Sequence, residues 1–380
     1  MTEIRTITPA DLPGVMDLVA KVDFPWRSHA GWHWALFENP QQGDIPAGFV
    51  AVKDGRVVAM VGLQARDFSL NGEPVRTATG HTFIAGPEGR GSGAQLARRA
   101  LTFPGLAAVY SLNNNATSAG LYKKLGMKAW LGDGARNRIE WPVRPAAMGT
   151  GLAFSRLARS DRMYDALSAR EWFTVKHSPL ADHARQRLKP GDWLDPSDAN
   201  HAREIDAFDA DLRASRPLTP VRSAAFYAYL LSDPDAPGRS VLLVARDGSK
   251  ISGLMLVILS KPNAYEPAGL DIVDLELAPG APHAATIAHL IDSARTIARA
   301  AGAARLRLLF SDRFGPSAFK GTRLRLHRRF SYDPAHASFA DEDGPFAQNW
   351  APTGYEGDFH FALRIAPQRA RSGSGTAAKA

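Results

Sequence analysis

Residues 82–95, TFIAGPEGRGSGAQ, run from a short apolar stretch through a glycine-rich turn into the helical pattern LARRALTF. A chain carrying this segment must set a strand end, a bare turn and a helix start in immediate succession. Arg90-Gly91-Ser92-Gly93 has little side-chain bulk. Its backbone N–H groups can therefore converge on an anion at the helix start, where unsatisfied donors and the positive end of the dipole favour negative charge. A phosphate or pyrophosphate is the ligand that fits; a glycine connection with no ligand is the other reading. Neither GxxxxGKS/T nor a GxGxxG with an acidic residue at the proper distance occurs, so the common nucleotide fingerprints do not apply.

Residues 112–130, LNNNATSAGLYKKLGMKAW, place an Asn-rich turn before a short amphipathic helix with Leu121, Tyr122 and Leu125, closed by Gly126 at a C-cap position. Together the two segments resemble the GNAT superfamily of acyl-CoA-dependent N-acetyltransferases. Pro87, Glu88, Arg90, Gly91 and Gly93 match the family's pyrophosphate turn, and Leu96 the apolar residue after it. Asn115, Ser118, Leu121, Tyr122, Leu125, Gly126 and Met127 fill its second motif in register. Gln95 stands where Gly or Ala is usual, and Met127 where Phe is usual. A looser resemblance covers Trp32 to Pro40, WHWALFENP, which recurs in a subset associated with surface-polysaccharide gene clusters.

Composition narrows the class. The chain has 380 residues, which favours two domains over one, and no cysteine. Disulfides, thiolate metal sites and cysteine nucleophiles are thereby excluded, and a reducing cytoplasm fits. The first residues, MTEIRTITPADLPG, lack the pattern of a signal peptide, and no apolar run approaches membrane-spanning length. The net charge of +8 comes from Arg and Lys scattered through both halves. We expect it to steer an anionic substrate or CoA and not to mark a nucleic-acid or membrane partner.

The periodicity gives two passes through one α/β (α+β) plan. Residues 1–142 open with a strand and helix and continue through a hairpin at Asp54-Gly55, a second turn at Asn71-Gly72, the phosphate turn and a strand over 106–112. Ile139-Glu140-Trp141 reads as the last strand of this unit. A helical connector spans 143–196, and residues 197–365 repeat the plan with a hairpin at Asp247-Gly248, a strand over 272–277, a helix over 283–300 and a strand over 306–310. The expected fold is two tandem acetyltransferase-like units, each a mixed, mostly antiparallel sheet flanked by helices. In the second unit the turn carries Pro279 and Pro282, which lack N–H donors, and no Asn…Leu-Tyr motif follows. That unit is expected to have lost CoA binding and to pack against the first or wall its substrate pocket. The Gly-, Ser-, Ala- and Arg-rich residues 366–380 read as a mobile tail.

The resemblance implies acetyl-CoA, or another acyl-CoA, as co-substrate and a small-molecule or sugar-type amine as acceptor, with no metal; a homodimer is compatible with it. It places Phe83, Ile84 and Ala85 along the pantetheine arm, with a backbone N–H of residues 84–86 facing the oxyanion. Arg90, Gly91, Ser92, Gly93 and Ala94 take the pyrophosphate, and Asn115, Ser118 and Tyr122 complete the coenzyme site. Tyr122 is the candidate proton donor to the leaving thiolate. His81 is the candidate base, because imidazole titrates in the right range, and Glu88, His29 and His33 are outside candidates. Two other readings remain: an acyl-CoA-binding scaffold without catalysis, and a peptidyl transferase using aminoacyl-tRNA. Arg90→Glu is expected to weaken acetyl-CoA binding strongly in calorimetry while leaving the fold intact; unchanged affinity would rule out this placement of the phosphates.

Overall fold

The computed structural model describes residues 2–22, 24–176, 178–322 and 325–365, so the segment 366–380 lies outside the described residues. The first half supplies strands β1 (Thr2–Thr6), β2 (Gly48–Lys53), β3 (Arg56–Leu70), β4 (Glu73–Ala85), β5 (Ala108–Ser111), β6 (Lys128–Ala129) and β7 (Asn137–Pro142). The second supplies β8 (Trp193–Leu194), β9 (Leu218–Pro220), β10 (Ser240–Asp247), β11 (Lys250–Ser260), β12 (Gly269–Leu277), β13 (Arg305–Leu309), β14 (Leu326–Arg329) and β15 (His336–Phe339). Local chemistry sets the hairpins where expected. Asp54 and Gly55 both have positive φ, at 51° and 73°, as the two central residues of a tight type I′ turn require.

The strands form two sheets of mixed, mostly antiparallel pairing. One runs β1-β2-β3-β4-β5-β15-β6 with β9 added on β3; the other runs β8-β10-β11-β12-β13-β7-β14. The two orders superimpose position by position. Each sheet has one parallel pair, β4 with β5 and β12 with β13. Each also takes its sixth strand from the other half of the chain. The strand at Ile139-Glu140-Trp141 therefore forms as expected but does not close the first sheet: β7 pairs with β13, Ile139 opposite Leu308. Its place in the first sheet is taken by β15, which lies between β5 and β6. An apolar strand of this pattern fits either sheet, and only the path of the connection decides between them.

Helices flank the sheets on both faces. In the first half these are α1 (Leu12–Lys21), α2 (His29–Phe37), α3 (Ser92–Leu101) and α4 (Ala116–Lys124). Leu96 and Ala100 of α3 pack on Val61, Leu63 and Val109 of the first sheet. The helix His283–Ala301 packs Ile287, Leu290 and Ile291 on the second in the same way. Between the sheets lies a further core containing Phe68, Tyr110, Leu254, Val273, Tyr355 and Phe361.

Buried ion pairs cross this core. Arg222, just after β9, is fully buried and bonds Asp274 and Glu276 of β12 at 2.9 and 3.0 Å. Arg27 pairs with Asp233 at 3.0 Å, both almost entirely enclosed. Asp274 also accepts from the hydroxyls of Tyr227 and Thr353. Removing one partner of such a network leaves a buried charge unmatched, so Asp274→Ala is expected to lower the urea unfolding free energy by about 3–5 kcal/mol. A loss below about 1 kcal/mol, the range of an exposed pair, would show that the two sheets are held by other contacts.

Candidate active site

The parallel pair β4–β5 is the origin of the site. Its ladder joins Ala78 to Val109 and Thr79 to Tyr110 and then stops. β4 continues to Ala85, paired only with β3 on its other side. Its pairing with β3 jumps from Gly62–His81 to Met60–Ile84, so Thr82 and Phe83 together face Val61 in a bulge. Thr82 sits at φ 48°, a left-handed conformation that costs a β-branched residue roughly 1–3 kcal/mol. The bulge turns Phe83 into a narrow slot in the opened sheet. Gly80, Val109 and Tyr110 line that slot, with Ala97 and Leu101 of α3 above and Tyr122 and Met127 beside it.

The glycine turn stands at the end of the same strand. Pro87–Gly89 makes a 3-10 turn, and α3 begins at Ser92. Gly91 occupies φ 88°, a region a side chain would strain, and a Cβ on Gly89 would lie 2.4 Å from the Val58 carbonyl oxygen. No side chain caps α3. The amides of Ser92, Gly93 and Ala94 thus occupy the first turn, where helix N–H groups lack intrahelical acceptors. Arg90 and Gln95 are exposed, so Gln95 lies along the helix surface and does not plug the turn. Glu88 is exposed on the same turn. The Gly86 amide is already bonded to the Val58 carbonyl at 2.9 Å. Of the backbone donors expected over 84–86, that one is not free.

Asn115 and Ser118 make a local contact at the start of α4. Asn115 caps α4 by accepting from the Ser118 amide at 2.8 Å, and the Ser118 hydroxyl donates to the same Asn115 oxygen at 2.7 Å. These two side chains are satisfied by each other in a capping arrangement. Their contribution is to fix the start of α4, and with it Tyr122. Gly126, at φ 90°, ends the helix as predicted.

Tyr122 reaches into the slot with its phenol pushed up to about 12 by burial, helped by the nearby negative charge of Asp358 and opposed by the Ser111 hydroxyl. It is therefore a protonated O–H at neutral pH. Its ring lies 6.2 Å from that of His336, which is held by Asn114 at 2.9 Å. Asn114 also accepts from Ser111 at 2.6 Å.

His81 is placed differently from the expectation. It is fully buried, packs 5.0 Å from the Phe361 ring and does not line the slot. Burial and the neighbouring Arg66, Arg27 and Arg364 push its imidazole down to about 3, which leaves it neutral and a weak base. His33 is engaged with Glu38 at 2.9 Å and His29 is exposed on α2. None of the three sits beside Tyr122.

The acidic group whose charge bears on Tyr122 is Asp358, which the sequence reading missed. Its Oδ1 is enclosed and accepts no hydrogen bond, and burial pushes its carboxyl up to about 7. The available signal was a pair of acids, Glu356 and Asp358, within an otherwise aromatic and glycine-rich stretch, GYEGDFHF. That stretch threads between the two sheets. The Tyr110 hydroxyl bonds the Glu356 carbonyl at 3.0 Å and Arg66 bonds the Gly357 carbonyl at 3.1 Å. Next to it, Leu112, Asn114, Arg138, Arg307, Phe310 and Phe359 line a cavity of about 190 Å³ between the halves. The chain from Tyr110 through Ser111 to Leu112 passes from the wall of the slot to the wall of this cavity.

The corresponding fork of the second sheet is filled. β12 and β13 separate after Ile272–Leu308, but the Thr353 hydroxyl bonds Asp274 at 2.9 Å, and a Cβ on Gly354 would lie 2.9 Å from the Val273 carbonyl oxygen. Phe359 closes on Phe310 with ring centroids 6.1 Å apart. At its turn the Ala278 and Ala281 amides are bonded to Ser252 and Ala278 carbonyls. The chain's own backbone takes the place that a ligand would need.

No family profile and no curated relative matches the sequence. Solved structures do match it in shape. A GCN5-related N-acetyltransferase from Anabaena variabilis is similar over 90% of this chain and 73% of its own, at 11% identity and a TM-score of 0.52. Saccharomyces cerevisiae N-myristoyltransferase, solved with bound myristoyl-CoA, is similar over 88% of this chain and 80% of its own, at 10% identity and a TM-score of 0.53. The chain thus has the GNAT fold, as two sheets of the same plan. Among the described residues no helix is long and apolar enough to cross a membrane.

Asp358 gives this site a pH signature. A carboxyl whose folded-state value is raised from its ordinary one near 4 to about 7 stabilises the fold below about pH 4. That contribution is lost as pH rises through about 7. Asp358→Asn is expected to raise the thermal unfolding midpoint at pH 8 and leave it near wild type at pH 4. A lowered midpoint at pH 8 would mean that the carboxylate is stabilised and not penalised where it lies.

Proposed function

We propose that this chain is an acyl-CoA-dependent N-acyltransferase acting on the amine of a small-molecule or sugar-type acceptor. The observation that carries the reading is the opened β4–β5 fork, with an uncapped glycine turn at its mouth and a protonated tyrosine within it. The turn amides and Arg90 suit a pyrophosphate. The unpaired edge of β4, at Phe83, Ile84 and Ala85, suits the amide groups of a pantetheine arm, which would bond as a short added strand. The slot is narrow, and the flexible side chain of Met127 is the wall that can yield to the thioester. That the yeast relative was solved with bound myristoyl-CoA supports an acyl-CoA as the donor class.

In the proposed reaction the neutral amine attacks the thioester carbonyl from the side of the cavity, forming the C–N bond and a tetrahedral oxyanion. The nitrogen gives up its proton to Asp358. Collapse breaks the C–S bond, and Tyr122 protonates the departing sulfur. Asp358 then returns its proton to the phenolate, so both groups are restored and the products are an amide and a free thiol. Because a thioester is already activated, positioning and these two proton transfers suffice.

Tyr122→Phe is expected to lower kcat about 100-fold with little change in the KM for acetyl-CoA, as read by thiol release with a panel of amines. Equal effects on kcat and KM would demote the residue to packing. Acetyl-CoA binding with no thiol release for any amine would replace the transferase reading by that of a binding scaffold.

A further inference from the structure

The cavity between the halves has a marked charge. The exchange of β7 into the second sheet sets Arg138 opposite Leu309 and one strand away from Arg307. Both guanidinium groups line the cavity and are mostly buried, with 24% and 20% of their side-chain surface exposed. Their acidic neighbours are few and already partnered: Arg307 bonds Asp271, and Arg138 lies 3.2 Å from Glu140. That last contact is not aligned as a hydrogen bond, and the Arg138 Nε–H is left without an acceptor. Burial disfavours the Arg138 cation; the charge of Glu140 opposes this, and Arg307, Arg305 and Arg328 add to it. A buried guanidinium with a free donor and like charges around it is relieved by an incoming anion. Of the remaining walls, Asn113, Asn114 and Tyr332 are polar and the rest, Phe310 and Phe359 among them, are apolar.

Resting on the reading as an acyltransferase, we propose that the acceptor amine carries a negatively charged group, a carboxylate or a phosphate, held by Arg138 and Arg307. Asn114 lines the same cavity and bonds the His336 ring that lies beside Tyr122, so a molecule anchored on the arginines has its far end directed toward the slot. A cavity of about 190 Å³ takes a compact fragment of this kind. Anchoring by an arginine fork also selects by geometry, since the planar donors match the oxygens of carboxylate and phosphate.

The test is calorimetric titration of the full chain with product-like probes in matched pairs: N-acetylglucosamine 6-phosphate against N-acetylglucosamine, and N-acetylglycine against N-acetylglycinamide. At least one anionic probe is expected to bind tenfold or more tighter than its neutral partner, and which pair shows it tells phosphate from carboxylate. Arg138→Gln is expected to abolish the preference and Arg138→Lys to retain part of it. Acetyl-CoA titrated into each variant reports that the fold and coenzyme site are intact. Equal binding within both pairs, or a preference unaltered by Arg138→Gln and by Arg307→Gln, would overturn the proposal. Loss of the transferase reading has a different signature: no acetyl-CoA binding by the wild type, with the anion preference still present.

Discussion

Two parallel strands that stop pairing after two residue pairs are the constraint on which the rest of the site depends. Once Thr79 and Tyr110 end the β4–β5 ladder, the remaining edge of β4 has backbone groups that need a partner. The bulge at Thr82–Phe83, the glycine turn and α3 all follow from the same strand and are aimed by it. The second sheet shows the alternative outcome for such a gap. There Thr353, Gly354 and Phe359 fill the fork between β12 and β13. The same architecture therefore contains one open fork and one closed by the protein itself.

The strand exchange explains why the closed half is retained. With β7 in one sheet and β15 in the other, neither sheet is complete without the other half of the chain. Arg222 and Arg27 then carry charge pairs across the interior, where leaving one member unmatched would be costly. The second half also supplies Asp358, whose charge bears on Tyr122, and Arg307, which lines the cavity next to the slot. Asp358 sits in surroundings that penalise its charge, the kind of cost a fold carries where chemistry needs it.

Local features were legible in the sequence because their causes are local. Asp54-Gly55 and Gly126 specify their turns by backbone conformation, and the alternation in β3 and β4 needs no knowledge of the rest of the chain. The turn at Arg90 to Gly93 and the position of Tyr122 could be read for the same reason. What was not legible depends on long-range closure. Ile139 and Trp141 look alike whether they complete the first sheet or the second, and nothing near Asp358 says that its charge will bear on Tyr122. Asn115 and Ser118 have a local role that their spacing also encodes. Their spacing is that of a capping box, and the cap proved to be their contact. His81 had the right chemistry in isolation, but burial among arginines removes its basicity, an effect only the folded surroundings reveal.

Hydrogen–deuterium exchange with and without acetyl-CoA tests the central claim most directly. Slowed exchange is predicted at the amides of residues 83–85 and 92–94 on adding the coenzyme, with no change across 278–282. Equal rates at the first two segments, or protection at the second turn instead, would contradict the assignment of the open fork as the place where the coenzyme lies.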